Sequence, residues 1–147
     1  MKYKRVSLIA LIFLSIILFA ACGGGNATNV DSTTNASQSS TFNYNFRSFD
    51  LDIDTVDQRD AVEVSYEEEK NGYEAEYKNK MANLNLRNEK AMEQLDSIFS
   101  SLKIDPNSTD EEVIQRVSEA FGGVNFTEFE LEVEYKDGGE REYISRK

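Results

Sequence analysis

A chain of 147 residues with 27 acidic and 16 basic side chains carries a net charge of −11 and has room for one modest core beyond any targeting segment. That balance disfavours nucleic acid and other polyanions as partners. With no histidine and a single cysteine, the chain lacks the means for histidine-based triads, thiol redox pairs and the usual zinc sites.

The first 21 residues read as a secretion signal. Lys2, Lys4 and Arg5 form a positive start, and an uncharged apolar run follows from Val6 to Ala21. That run is slightly short for a membrane span, which needs about 20 apolar residues. Phe19-Ala20-Ala21-Cys22 resembles a lipobox, in which small residues precede a cysteine whose thiol takes a diacylglyceryl group before cleavage. Phe19 stands where leucine is usual. The alternative is an ordinary signal cut after Ala21 that leaves Cys22 an idle thiol, a liability in an oxidising compartment. Cys22 is therefore assigned as the lipidation site, and the expected location is extracytoplasmic, anchored to the cell membrane.

Residues 22–41 hold the lipidated cysteine and a tether. From Gly23 onward the segment is Gly, Asn, Ser, Thr, Ala and Gln, with one charge (Asp31) and one larger apolar residue (Val30). It cannot bury enough apolar surface to offset the entropy of ordering. About nineteen residues of this kind reach roughly 20–25 Å. Without the three basic residues of the signal, 13 basic side chains face 27 acidic ones, and the net charge becomes −14.

Residues 42–147 then form a single acidic α+β domain. Phe49, Leu51 and Ile53 alternate with Asp50, Asp52 and Asp54. Val62, Val64 and Tyr66 alternate with Glu63, Ser65 and Glu67, and Tyr73, Ala75 and Tyr77 with Glu74, Glu76 and Lys78. Phe129, Leu131, Val133 and Tyr135 alternate with Glu128, Glu130, Glu132 and Glu134. Each stretch predicts a half-buried antiparallel strand. Asn71-Gly72 predicts a two-residue type I′ hairpin with Tyr66 opposite Tyr77, Val62 opposite Met81 and Glu63 opposite Lys80. A three-residue loop, Asp137-Gly138-Gly139, keeps the faces of the second hairpin consistent and sets Val133 opposite Tyr143. Phe42, Tyr44 and Phe46 have the opposite parity to Phe49, so either a bulge lies near Arg47-Ser48 or this stretch packs elsewhere.

Between the hairpins two helices are expected. The first starts at Asn88 and carries Ala91, Met92, Leu95, Ile98, Phe99 and Leu102 on one stripe. The second starts after Pro106 with a capping box on Ser108 or Thr109, carries Val113, Ile114, Val117, Ala120 and Phe121, and stops at Gly122-Gly123. The order βββ-αα-ββ predicts an antiparallel sheet of about five strands, with both helices on its apolar face and the carboxylates facing water.

Chemistry is left to the carboxylates, and solvated strand faces account for most of them. Asp50-Leu51-Asp52-Ile53-Asp54 echoes a calcium loop, but Thr55 and Ala61 stand where that loop needs glycine and a bidentate glutamate. The tyrosines Tyr66, Tyr73, Tyr77, Tyr135 and Tyr143 fall mostly on the core face, with hydroxyls expected at the rim. No catalytic, cofactor or metal residues are assigned.

Glu74-Ala75-Glu76-Tyr77-Lys78-Asn79-Lys80 and Glu89-Lys90-Ala91-Met92 resemble segments of the YusW-like small lipoproteins of Bacillus-type bacteria. So does Phe129-Glu130-Leu131-Glu132-Val133 with Asp137-Gly138 and Glu142-Tyr143, so that the resemblance runs from about Phe46 to Tyr143. It implies a Gram-positive surface lipoprotein and supplies no site residues. The leading expectation is a non-enzymatic, membrane-tethered module that binds an envelope protein or peptide, with no nucleic acid and no cofactor. The alternatives are a divalent-cation-binding envelope protein using the acidic face and a carboxylate-dependent hydrolase of wall sugars.

Overall fold

A computed structural model describes residues 42–147; the expected signal and tether, with Cys22, lie outside the described residues. The elements follow in the order β1 (Phe46–Thr55), β2 (Val62–Glu69), β3 (Gly72–Asn79), β4 (Leu84–Arg87), α1 (Glu89–Leu102), α2 (Asp110–Ala120), β5 (Phe126–Tyr135) and β6 (Gly139–Arg146). They build one antiparallel sheet in the order β4-β3-β2-β1-β5-β6. The sheet has six strands where about five were expected. The addition is β4, in which Leu84 and Leu86 alternate with Asn85 and Arg87 for only four residues.

β1 is central because its apolar positions are the most completely hidden. Phe49, Leu51 and Ile53 are fully buried, as are Phe129, Leu131 and Val133 on β5. The parity conflict near its start is resolved by a β-bulge. Phe46 pairs with Tyr135 while Ser48 pairs with Glu134, so Arg47 is the extra residue and both Phe46 and Phe49 point inward. Tyr44 continues inward from Phe46, and its hydroxyl donates to Asp96 Oδ1 on α1.

Both hairpins turn one residue earlier than expected. The β2–β3 loop is Lys70-Asn71, closed by Glu69 opposite Gly72, and neither loop residue has the positive φ of a type I′ turn. Tyr66 therefore faces Ala75, Val62 faces Asn79, and Glu63 faces Lys78 at 3.8 Å rather than Lys80. The β5–β6 loop has three residues, but they are Lys136, Asp137 and Gly138. Gly139 takes the left-handed position (φ 74°), Val133 faces Arg141, and Tyr143 faces Leu131. Each correction moves the register by two residues, which leaves every side chain on its expected face. Tertiary contact holds the second loop: a Cβ on Gly138 would collide with the Pro106 ring, and Arg141 Nη1 donates to Pro106 O at 2.6 Å.

The helices begin and end for local reasons. Asn88 does precede α1, but its side chain makes no capping bond. Its backbone N–H closes the ladder to Ala75 O at 2.7 Å, at a positive φ that asparagine tolerates. α2 has the full capping box between Thr109 and Glu112. Its end is a Schellman motif, with Gly123 N–H on Ser118 O at 2.8 Å and Gly122 N–H on Glu119 O at 3.2 Å. Phe99 of α1 meets Phe46, Phe49 and Tyr66, while Phe121 at the end of α2 meets Phe49 and Tyr77. The helices thus seal the aromatic face of the sheet and leave the opposite face open.

Candidate functional site: the open acidic face

Strand alternation brings the carboxylates of five strands onto this open face. Asp52 lies opposite Glu63 on one side and Glu130 on the other; Asp50 lies opposite Ser65 and Glu132. Glu132 in turn faces Glu142, and Glu134 faces Glu140. Like charges directly opposite each other destabilise a sheet. Basic residues compensate only at the flanks. Lys78 reaches Glu63 at 3.8 Å and Glu76 at 3.4 Å, and Arg87 reaches Glu76 at 2.8 Å. Arg146 reaches Glu128 at 2.8 Å, and Arg47 reaches Glu134 at 3.5 Å. Among the described residues, Asp50, Asp52, Glu130, Glu132, Glu140 and Glu142 have no basic side chain within ion-pair distance.

Their proton affinities respond accordingly. Asp52 is pushed up to about 6, first by desolvation and then by Asp50, Glu63, Asp60 and Glu130. Asp50 is raised by desolvation, then by Glu130 and Glu63. Desolvation also raises Glu132, followed by repulsion from Glu140 and a hydrogen bond with it. A carboxylate whose folded pKa lies above its unfolded value opposes folding once ionised. The penalty is complete above about pH 6, shrinks as the pH falls through 6, and is gone below the unfolded value near 3.8. Denaturation at about pH 7.5 and about pH 5 is expected to show the domain more stable at the lower pH. For Asp52 the difference is about 1 kcal/mol, allowing for solvent screening at this exposed position. Asp52→Asn is expected to remove that part of the slope by stabilising the pH 7.5 state; an unchanged pH profile would count against the account.

The face is a spread of charge rather than a chelate. Among the described residues no three aspartate, glutamate, cysteine or histidine side chains converge to hold a metal ion. Asp50-Leu51-Asp52-Ile53-Asp54 lies wholly within β1, with Leu51 and Ile53 buried, as expected of a strand. The tyrosines depart from expectation. Tyr135 and Tyr143 are fully buried and satisfy each other's hydroxyls at 2.9 Å, and the Tyr77 hydroxyl accepts from Asn79 Nδ2 at 3.4 Å. These hydroxyls close the core rather than line a rim.

A second feature went unread in the sequence. At the end of the sheet away from both hairpin loops, Met81, Ala82, Phe121 and Val124 line a shallow groove of about 470 Å³ beside Thr55 and Asp57. Met81 and the nearby Val56 are among the largest exposed apolar side chains. The residues come from three separate loops, so no local pattern announces the groove. Among the described residues no helix is long and apolar enough to cross a membrane.

These features define an antiparallel α+β domain with one sealed aromatic face and one open acidic face. A family profile described as YusW-like protein matches residues 47–141, and the chain belongs to that family. No curated protein matches the chain, and no solved structure does.

Proposed function

We infer that the protein is an extracytoplasmic lipoprotein, held at the membrane through Cys22, whose domain is a non-enzymatic binding module for an envelope protein or peptide. The observation that supports this reading most is the open face. A strip of unpaired carboxylates is held in place at a cost in stability, as expected where surface charge serves recognition. Such a face favours a cationic partner. The domain offers no nucleophile–base pair of the histidine or cysteine kind, because it contains neither residue.

Capture from envelope extract tests the reading. The domain from Phe42 onward is expected to retain a partner that the Glu130→Gln, Glu132→Gln, Glu134→Gln triple variant loses. Equal capture by both would remove the acidic face from the account. A second reading, in which the face is screened by divalent cations, is favoured by the raised Asp50 and Asp52. It requires calcium uptake at millimolar concentration in isothermal titration.

A further inference from the structure

The two edges of the sheet are treated differently. β4 has four residues and its ladder passes through Asn88 directly into α1, one of the ways that natural sheets blunt an edge. β6 has eight residues and no proline, and among the described residues only β5 pairs with it. Lys147 N–H donates to Thr127 O at 2.9 Å, so the odd-numbered residues of β6 direct their backbone groups to β5. Glu142, Ile144 and Arg146 therefore turn theirs outward. The same three side chains stand on the open face, opposite Glu132, Glu130 and Glu128.

Those residues are self-complementary. An antiparallel copy of β6 centred on Ile144 places Ile144 against Ile144 and Glu142 against Arg146 on both sides. Ile144 is 41% exposed, a large apolar side chain standing among carboxylates. Glu142 has no cation of its own among the described residues and stands opposite Glu132. Arg146 uses Nε and Nη2 on Glu128, at 2.9 and 2.8 Å, and retains donors for a second carboxylate.

We propose that β6 is a homotypic interface: two copies of this chain join edge to edge about Ile144, each Glu142 meeting the other's Arg146 and the two sheets becoming one. The contact gives Glu142 the counter-charge that its own sheet withholds. It rests on the tethered-module reading, because anchorage to a shared membrane raises the effective concentration at which so small an interface closes.

Oxidative cross-linking tests it. In the pairing described, Cα atoms of a hydrogen-bonded pair lie about 5.5 Å apart, within disulfide reach. The full chain carrying Ile144→Cys is expected to form a covalent dimer at least about tenfold more efficiently than one carrying Glu140→Cys, which is on the same face of the same strand but unpaired in this register. Adding Glu142→Arg or Arg146→Glu to Ile144→Cys is expected to cut the yield about fivefold, and combining both reversals to restore it, because symmetry then re-forms the pairs. Each variant is made with Cys22 and with Cys22→Ser, the latter assayed at about millimolar protein to match the membrane concentration. Fractionation of the Cys22 chain reports on the anchor, and the cross-linking yield reports on the edge in either background. Equal yields at positions 140 and 144, indifference to charge reversal, or an adduct with a different protein in place of the dimer would each overturn the proposal.

Discussion

Replacing Cys22 with serine is expected to move nearly all of the protein from the membrane fraction to the soluble one. Each buried CH₂ contributes about 0.8 kcal/mol, so a diacylglyceryl group, with two long chains, holds a protein durably where one chain would exchange. Serine offers no thiolate to alkylate, and residues 23–41 are almost all small or polar, with little apolar area to hold the chain on lipid in its place. The domain adds no electrostatic attraction of its own, because its charge repels anionic headgroups. Immunoblots of carbonate-washed membranes read the result. A parental chain found in the soluble fraction, or a Cys22→Ser chain that has lost its signal yet is retained at the parental level, would return Cys22 to the status of an idle thiol.

Two single-residue deletions in β1 are expected to have very different effects. Removing Arg47 takes out the extra residue of the bulge, so that Phe46, Ser48 and Phe49 alternate regularly and Tyr44 and Phe46 keep their places. The losses are the local bend and an exposed pair with Glu134, together less than about 2 kcal/mol. Removing Asp50 makes Phe49 and Leu51 adjacent, and they cannot both point inward. The least costly repair dissolves the bulge, expels Phe49 and turns Ser48 into the core. Phe49 is fully buried against Phe46, Phe99 and Phe121, so this costs about 5 kcal/mol or more. That approaches the whole stability of a typical domain. Urea denaturation of the two deletions distinguishes them; similar losses would show that the bulge does not absorb the parity change.

The bulge also illustrates what is legible in a sequence. Parity alone narrows the start of β1 to a bulge or a stretch that packs elsewhere, since Phe46 and Phe49 cannot both face inward on a regular strand, and the pairing with β5 chooses the bulge. The capping box at Thr109 and the Gly122-Gly123 stop are equally local, because a helix end is satisfied by residues within a few positions of it. The same holds for the acidic face, which is the complement of the apolar alternation. β4 was missed because two leucines two residues apart do not distinguish a strand from a loop, and only its pairing with β3 decides. The groove at Met81 assembles three loops distant in sequence and left no pattern to find.

The helix ends and the composition of both sheet faces were thus written in the order of residues, because hydrophobic alternation and capping act over a few positions. The tertiary structure decided the register within each hairpin, the sixth strand and the edge on which the sheet ends. A two-residue slip leaves every face unchanged, so alternation is silent about register, and contacts such as Gly138 on Pro106 make the choice. The lipobox reading of Cys22 stands on sequence chemistry alone. The crowding of Asp50, Asp52, Glu130 and Glu132 needed the strand order, because their repulsion depends on β1 lying between β2 and β5.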